Sequence, residues 1–536
     1  MNSLRAHASG AATTLRVLGG AGVIRPYGPR TLVALGRTIA RWGTGPAGGF
    51  ASLAVREPDR VGLVDELGEL TFGEMHRRSN ALARGLAELG VGEGDSVAVM
   101  CRNHRGFVDA SVAVAKLGAD LLYLNTAFAG PQLVDVLERE QPAVVIHDEE
   151  FTRLLSTAHV EKRLIAWADT DRGTTIESLI EGHDDSELAP PGRHARIVIL
   201  TSGTTGTPKG APRNEAGIDA AVSMLSRMPL RHGWRTHIAA PLFHTWGFAH
   251  LALAMLLGST VVLHRKFDPE TALRTVEEHR CQSMVVIPVM LQRILALDEE
   301  VLARYSLPGL EVVAASGSAL PGTLATSWMD HFGDNLYNIY GSTEVAYASI
   351  ATPRDLRESP SSAGHPPYGT VVRILDEDGR EVPQGRTGRI FVGNNLLFEG
   401  YTGGGSKDMV DGLMATGDVG RFGGDGRLYV DGRDDEMIVS GGENVFPKEV
   451  EDCLVGHEAV AEAAAVGVDD DDYGMRLRAF VARRSEVTED ELKEHVKNHL
   501  ARYKVPREIV FLDELPRNAT GKILKKDLAH WDEETS

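Results

Sequence analysis

Short β-rich runs alternate with helical segments over most of this chain, from about residue 51 to residue 432. Runs that predict strands are 96–100 (SVAVM), 143–147 (AVVIH) and 261–264. Segments that predict helices between them are 79–89 and 131–140. Alternation of this kind is typical of α/β folds with layered, buried and largely parallel sheets. The later runs 371–375 and 388–393 are punctuated by Gly and Asp, which predicts a smaller β-rich subdomain.

The chain has 536 residues, which is too long for one ordinary domain. A charged turn that contains a glycine, DGRDDE at 431–436, marks a candidate boundary. About a hundred residues follow it, enough for a small α/β domain. We therefore predict a basic N-terminal extension over 1–45, a large domain over 46–432 and a small domain over 433–536.

The composition argues against several classes of protein. The formal net charge is −19, whereas nucleic-acid binding needs a basic surface. Binding of ATP remains compatible, because loops and helix N-termini hold phosphates locally. The three cysteines, Cys101, Cys281 and Cys453, are far apart, and the sequence has no CxxC pair or Cys/His cluster. The sequence therefore predicts no disulfide framework and no zinc site, and it fits reduced thiols in a cytoplasm.

The first fifty residues differ from the rest, because no acidic residue precedes Glu57 while seven arginines lie between residues 5 and 56. At 100° per residue, one helical face is apolar (Leu32, Leu35, Ile39 and Trp42) and the opposite face is basic (Arg30, Arg37 and Arg41). Residues 29–42 therefore predict a helix that either contacts an anionic membrane or, more commonly, packs on the chain's own core. No secretory signal is evident. An acid-poor, Arg-rich start also fits a transit peptide, so a cytoplasmic and an organellar location both stay open.

Segment 197–210, IVILTSGTTGTPKG, is an apolar strand followed by a loop of hydroxyl residues and glycines. Glycines let backbone N–H groups approach anionic oxygens, hydroxyls donate further hydrogen bonds, and Lys209 adds positive charge. The spacing differs from that of the P-loop. Taken alone, the segment predicts either a polyphosphate site or a flexible turn.

Further motifs follow this loop: YGSTE at 340–344, TGD at 416–418, GRDDEMIVSGGENVFPKEVE from Gly432, and PRNATGK at 516–522. Together with TSGTTGTPKG, and in this order, they resemble the adenylate-forming (ANL) superfamily of acyl-CoA synthetases, peptide-synthetase adenylation domains and luciferases. The resemblance covers most of the chain after about residue 50. It implies a large multi-subdomain α/β domain with layered sheets and a β-rich subdomain, followed by a small mobile α/β domain.

The resemblance also implies a site for ATP and Mg²⁺. The residues expected to hold the phosphates are Thr201, Ser202, Gly203, Thr204, Thr205 and Lys209. The remaining expected nucleotide contacts are Gly317 and Ser318 near the adenine, Tyr340 stacked on it beside Gly341, Thr343 at the α-phosphate, and Asp418 and Arg433 at the ribose. Glu344 is expected to hold Mg²⁺, for which a carboxylate is a suitable hard ligand. Each motif in isolation would predict only a turn or a surface ion pair, so the assignment depends on their order.

By the same resemblance, Lys522 is expected to catalyse the first half-reaction, because its ammonium would stabilise the charge that develops as a carboxylate attacks the α-phosphorus. The small domain is then expected to rotate about Asp435. This rotation would let Ser440, Gly441 and Gly442 line a tunnel for the pantetheine of coenzyme A. On charge alone, Lys522 and the nearby lysines would equally predict a solvated basic surface.

The segment 241–247, PLFHTWG, resembles the family's wall beside the acyl group. His244 is expected to gate that pocket and Trp246 and Phe248 to line it, although a plain hydrophobic core would explain the same residues. We therefore predict an AMP-forming acyl-CoA synthetase whose acid is a fatty acid. The alternatives are an enzyme that loads a carrier-protein pantetheine, a luciferase-like oxidative enzyme and a non-catalytic nucleotide-binding regulator. The sequence does not indicate an oligomeric state.

Overall fold

The computed structural model describes residues 2–128, 130–170, 173–201, 209–213, 218–398, 400, 406–436, 438–440, 443–470, 474–518 and 521–531. The α-helices within this part are α1 Asn2–Gly20, α2 Pro29–Trp42, α3 Pro46–Arg56, α4 Phe72–Glu88, α5 Arg105–Lys116, α6 Gly130–Glu140, α7 Thr152–Leu155, α8 Ile176–Gly182, α9 Ile218–Leu225, α10 Thr245–Leu257, α11 Pro269–Glu278, α12 Pro288–Leu295, α13 Glu299–Leu302, α14 Gly322–Phe332, α15 Pro353–Glu358, α16 Pro447–Val455, α17 Glu489–His499 and α18 Lys525–Ala529.

The strands are β1 Val61–Asp65, β2 Gly68–Thr71, β3 Ser96–Met100, β4 Asp120–Tyr123, β5 Val144–Asp148, β6 Arg163–Trp167, β7 Ile197–Thr201, β8 Lys209–Arg213, β9 Arg235–Ile238, β10 Thr260–Val262, β11 Ser283–Val286, β12 Val312–Ala315, β13 Leu336–Tyr340, β14 Ser349–Ala351, β15 Val371–Leu375, β16 Gly388–Gly393, β17 Met409–Val410, β18 Leu413–Phe422, β19 Leu428–Arg433, β20 Ile438–Ser440, β21 Glu443–Val445, β22 Val460–Asp470, β23 Gly474–Arg483 and β24 Glu508–Leu512. Short 3₁₀ turns lie at Glu149–Phe151, Asp434–Glu436 and Arg502–Lys504.

Two large sheets form the first part of the chain. One has eight strands in the order β14-β13-β12-β11-β9-β10-β1-β2, and the other has six in the order β6-β5-β3-β4-β7-β8. The interior pairs are parallel, while β14, β2 and β8 pair antiparallel at edges. One continuous core joins both sheets and includes the fully buried Leu82, Phe107 and Met284. This arrangement confirms the predicted layered α/β fold with largely parallel sheets.

Two smaller sheets follow. Strands β15 to β19 form an antiparallel sheet, as the punctuation of that segment predicted. Strands β20 to β24 form a second five-stranded sheet, against which α16 and α17 pack around a separate core. The smaller α/β C-terminal domain is therefore present, whereas the exact boundaries at residues 45 and 432 stay predictions.

The predicted helices and strands are helices and strands in the structure. Some of them begin or end at other residues than predicted, because local contacts set those ends. The helix predicted over 79–89 begins at Phe72 because Thr71 and Glu74 form a reciprocal capping box. The strands predicted at 96–100, 371–375 and 388–393 have the observed bounds. Those predicted at 143–147 and 261–264 are displaced by one or two residues.

The N-terminal helices only partly bury their apolar residues. Trp42, at the end of α2, is 2% exposed and packs against Ala47 and Ala51 of α3. Leu32 and Ile39 on the predicted apolar face are 53% and 48% exposed. On the predicted apolar face of α2, Trp42 thus packs on the rest of the chain, whereas Leu32 and Ile39 contact solvent. Among the described residues, no helix combines the length and the apolar character needed to cross a membrane.

Candidate active site

A cavity of about 1650 Å³ lies where the eight-stranded sheet, the small antiparallel sheet and the C-terminal domain meet. Most predicted site residues that the structure describes line it: His244, Trp246, Phe248, Gly317, Ser318, Tyr340, Gly341, Thr343, Glu344, Asp418, Arg433 and Lys522. These residues are distributed over nearly three hundred positions of sequence. Their convergence on one cavity supports the reading of the motifs as a single site.

Asp418 is held between an aromatic hydroxyl and a guanidinium. Tyr340, at the end of β13, donates its hydroxyl to Asp418 Oδ2 at 2.5 Å. Arg433 donates from Nη1 to Oδ1 at 3.3 Å, because β18 and β19 pair with Asp418 opposite Arg433. Burial raises the pKa of Asp418, and the Tyr340 hydrogen bond and the charges of Arg433 and Lys522 oppose that shift. A carboxylate of this kind, open to a cavity, is suited to accept hydrogen bonds from the hydroxyls of a ribose.

Lys522 reaches the same site from the C-terminal domain. Its backbone N–H donates to the Asn518 side chain at 2.9 Å, which closes a tight loop after β24. Gly521 has φ +77°, and a Cβ there would lie 2.6 Å from Val289 of α12. The loop can therefore lie directly against the large domain only with glycine at this position. This close approach brings the Lys522 charge near enough to oppose the rise that burial causes in the pKa of Asp418.

Lys525, three residues after Lys522, is partly buried and held by two ion pairs. Lys525 pairs with Glu436 at 2.7 Å and with Glu451 at 2.8 Å. These carboxylates raise the pKa of Lys525 even though its burial opposes the shift. Lys525 is therefore a structural link between α18 and α16, whereas Lys522 and Lys526 are both exposed, and the role of Lys522 stays a prediction.

The YGSTE loop is fixed by backbone contacts. A Cβ on Gly341 would lie 2.1 Å from the Ala346 carbonyl oxygen, so the turn requires glycine. The backbone N–H of Glu344 donates to Ser342 Oγ at 3.3 Å, and its carbonyl accepts from Phe398 N at 2.9 Å. The Glu344 carboxylate lies at the cavity wall, where a single oxygen ligand could complete the shell of a phosphate-bound Mg²⁺.

His244 stands at the N-cap of α10 and lines the cavity. Burial lowers its pKa to about 4, so the imidazole is neutral near pH 7. Trp246 is anchored by a hydrogen bond from Nε1 to the Val286 carbonyl at 3.0 Å. Phe248 packs against Tyr123, with ring centroids 5.3 Å apart. Trp246 is therefore part of a fixed wall, and His244 lies at the end of α10 that is nearer the nucleotide residues.

Several predicted contacts lie outside the described residues: Ser202, Gly203, Thr204, Thr205, Gly441 and Gly442. For Thr201, Lys209, Asp435 and Ser440 the structure describes the backbone alone. Thr201 and Lys209 are paired at the ends of β7 and β8, which places both at the base of the predicted phosphate loop. The roles of all these residues stay predictions.

The sequence analysis missed one wall of the cavity. Residues of α16 line it, namely Lys448, Glu449, Glu451, Asp452 and Val455. The available signal was the KEVE sequence that ends the long motif after Gly432. A second missed part is the far apolar end, formed by Gly45, Pro46 and Gly49 at the start of α3. No motif marks this end.

Because three buried histidines are uncharged in the folded protein, we expect the fold to become less stable in acid. Burial lowers the pKa of His237 and His244 to about 4 and that of His250 to about 3. The unfolded chain takes up these protons near pH 6.5, so the stability they provide is complete above pH 6.5 and declines as pH falls toward 4. Each should contribute a slope of about 1.4 kcal/mol per pH unit to the free energy of unfolding. Urea unfolding between pH 7 and 4.5 measures the slope.

His250→Leu should make this slope shallower by the contribution of one histidine, since no bonding partner of His250 Nε2 is found among the described residues. The exposed His159→Leu serves as the control and should leave the slope unchanged. Equal slopes in the His250→Leu and wild-type proteins would contradict the interpretation.

The comparisons with known proteins agree with this geometry. The family model described as AMP-binding enzyme matches residues 50–402, and the AMP-binding enzyme C-terminal domain matches 449–522. A feruloyl-CoA synthase of Amycolatopsis sp. is 34% identical over 468 residues, covering 86% of this chain and 93% of that protein. An indoleacetate–CoA ligase of Aromatoleum aromaticum is 32% identical over 490 residues, covering 89% and 94%.

Among solved structures, an anthranilate CoA ligase in complex with anthranoyl-AMP superposes with a TM-score of 0.81. The sequences are 26% identical, and the match covers 90% of this chain and 96% of that one. The ordered motifs, the convergent cavity and the family models lead to one conclusion. The chain belongs to the AMP-binding enzymes of the adenylate-forming superfamily, as an AMP-forming acid–thiol ligase that uses ATP, Mg²⁺ and coenzyme A.

Proposed function

We propose that this ligase activates an elongated apolar acid of the fatty-acid class. The observation that supports this choice is the face of α10 that lines the cavity: Thr245, Phe248, Ala249, Ala252 and Leu256. At 1.5 Å per residue, this face extends about 16 Å from the His244 end of the helix. No charged residue lies on it, and Ala221 and Met224 of α9 also line the cavity. A long, uncharged channel suits an alkyl chain.

In the proposed reaction, the acid's carboxylate oxygen attacks the α-phosphorus of ATP, and pyrophosphate leaves. Lys522 would stabilise the charge that develops between carboxylate and phosphate. Asp418 and Arg433 would hold the ribose, Tyr340 the adenine, Thr343 the α-phosphate and Glu344 the Mg²⁺. The thiol of coenzyme A would then attack the acyl carbon and release AMP. Neutral His244 would shield the mixed anhydride from water, because it occupies the cavity end of α10 without carrying charge.

The thiol substrate would enter by the small domain. We propose that Ser440, Gly441 and Gly442 border its path after a rotation about Asp435. The 3₁₀ turn Asp434–Glu436 joins β19 to the C-terminal sheet, which is a suitable position for a hinge. Free coenzyme A and a carrier protein present the same pantetheine thiol, so either could be the thiol substrate. Formation of thioester with coenzyme A alone would support free coenzyme A as the substrate. A requirement for carrier protein would support the carrier-bound pantetheine.

A second candidate substrate is an aromatic acid, because the similar proteins are named for feruloyl and indoleacetate substrates. Coenzyme A-dependent release of AMP, measured over a panel of saturated C4 to C18 acids and of ferulic, indoleacetic and benzoic acids, distinguishes the two. The proposal expects kcat/KM to increase with alkyl length by several-fold per added pair of methylenes until the channel is full. Higher values for the aromatic acids than for every alkyl acid would reject it.

We further propose that the ligase works in the cytoplasm and contacts anionic membrane surfaces through residues 29–42. The apolar Leu32, Val33 and Ile39 of α2 are about half exposed. Arg30 and Arg37 on the same helix are exposed as well. With no acidic residue before Glu57, this surface is complementary to anionic headgroups. An apolar acid dissolved in the bilayer would then be close to the enzyme.

The double variant Leu32→Gln/Ile39→Gln should reduce cosedimentation with phosphatidylglycerol vesicles at least tenfold, because two partly buried aliphatic side chains contribute about 2 kcal/mol to the interaction. Leu67→Gln removes an apolar side chain that is 62% exposed at another surface and should leave binding unchanged. Equal cosedimentation of the double variant and the wild type would contradict the membrane contact.

A further inference from the structure

Cys453, His495 and His499 come together on the C-terminal domain, although they are dispersed in the sequence. One ligand atom from each side chain lies within 4.8 Å of the others. We propose that this cluster binds one divalent transition-metal ion of the zinc class. A thiolate and imidazoles are the ligands that Zn²⁺ prefers in proteins, and three of them leave one position of its tetrahedral shell to water.

The helices create the cluster. His495 and His499 are four residues apart in the last turns of α17, so they lie on one face of that helix. Cys453 lies in the last turn of α16, which packs against α17. The rings of His495 and His499 have centroids 4.3 Å apart. The ligands are thus presented by two packed helices instead of a loop, which suits a defined coordination geometry.

The hydrogen bonds of both histidines leave a lone pair on the other nitrogen of each ring. His495 Nε2 donates to the Cys453 carbonyl at 3.1 Å. His499 Nδ1 donates to the His495 carbonyl at 2.7 Å. Donation from one nitrogen fixes the neutral tautomer and leaves a lone pair on the other. Metal-binding histidines commonly have this arrangement, in which a backbone carbonyl accepts the N–H of the non-ligating nitrogen.

His457 lies beside the cluster but is not one of its ligands. Its ring lies edge-on to that of His495, with centroids 5.0 Å apart. Its Nδ1 accepts the backbone N–H of Ala459 at 3.2 Å, so the neutral ring carries its proton on Nε2 and has no lone pair left for a metal. The expectation that the chain has no Cys/His cluster holds only along the sequence, because folding brings Cys453 to the histidines of α17.

A second group of three candidate ligands, Cys101, His104 and Asp148, differs from this cluster. It is fully buried, and both ring nitrogens of His104 already have partners. Nε2 bonds Asp148 Oδ1 at 2.7 Å, and Nδ1 accepts the Gly106 N–H at 3.0 Å. That group is satisfied without a metal. The cluster on α16 and α17 is more accessible, since Cys453 and His495 are half-buried and His499 is exposed.

Titration of the full-length protein with Co²⁺, followed by displacement with Zn²⁺, tests the proposal. The expected result is one Co²⁺ per chain, with a thiolate-to-cobalt charge-transfer band that Zn²⁺ abolishes. Cys453→Ser should remove this band and weaken Co²⁺ binding at least tenfold, and His499→Ala should weaken it by a similar factor. His530→Ala, an exposed histidine of the same domain, is the matched control and should leave binding unchanged.

Binding that keeps its stoichiometry and charge-transfer band in Cys453→Ser, or no Co²⁺ binding by the wild type, would overturn the proposal. If His499→Ala fails to fold, His499→Gln removes the ligand at this exposed position with less change in shape. ATP–pyrophosphate exchange by the metal-free wild type reports on the ligase site separately, because Cys453, His495 and His499 do not line the cavity. Loss of the metal site therefore leaves the proposed reaction untouched.

Discussion

Lys522→Ala should lose at least a hundredfold in the rate of ATP–pyrophosphate exchange while keeping most of its thioester formation from supplied acyl-adenylate. A positioned charge that stabilises the transition state contributes about 3 kcal/mol. Lys522 lines the cavity, and its charge opposes the rise that burial causes in the pKa of Asp418. The second step would take place after this loop has left the cavity. Exchange is measured with labelled pyrophosphate, and the second step with synthetic acyl-adenylate and coenzyme A.

Lys526→Ala is the matched control, because it removes an exposed lysine four residues further along the chain. It should keep both activities. Equal loss of both half-reactions in Lys522→Ala, with an unchanged melting temperature, would reject the division of roles. Retained exchange in Lys522→Ala would reject the assignment of this residue altogether.

Ala252→Trp should abolish activity on long acids while short acids still react. Ala252 lies on the cavity face of α10, and an indole there would fill the channel beyond it. Each methylene that loses its apolar contact costs about 0.8 kcal/mol, so exclusion of five of them should lower kcat/KM by about three orders of magnitude. The measurement is AMP release with C4 to C16 acids.

Comparing Ala249→Trp with Ala252→Trp measures how acid length depends on position along the same channel. Ala249 is three residues closer to His244, which corresponds to about 4.5 Å along the helix. The longest accepted acid should therefore be shorter in Ala249→Trp than in Ala252→Trp. A uniform loss for all acid lengths, or the same cut-off in both variants, would indicate that the acyl group does not follow α10.

The sequence predicted the fold class well, because buried parallel strands and capped helices leave local patterns. The run SVAVM at 96–100 is a strand with the predicted bounds, and Thr71 and Glu74 explain why α4 starts earlier than its apolar pattern suggested. The candidate site residues could be named for a different reason. They lie in short motifs whose order is characteristic of the family, so Tyr340, Asp418 and Lys522 were candidates before the structure showed that they line one cavity.

Features that depend on packing between distant segments were not predictable. The contributions of α16 and of Gly49 to the cavity lining require the arrangement of whole domains. The division of α2 between a buried Trp42 and an exposed Ile39 also follows from where α3 lies, which helical periodicity does not reveal. The cluster of Cys453, His495 and His499 has the same origin, since two helices 40 residues apart must first pack.

Transfer of ¹⁸O from the carboxylate of the acid tests the central claim most directly. In an acyl-adenylate pathway one carboxylate oxygen bonds to the α-phosphorus and remains there when the thiol displaces AMP. We predict that a doubly labelled acid yields AMP with one ¹⁸O per turnover and unlabelled pyrophosphate. Label in pyrophosphate or inorganic phosphate, or AMP without label during thioester formation, would contradict the account.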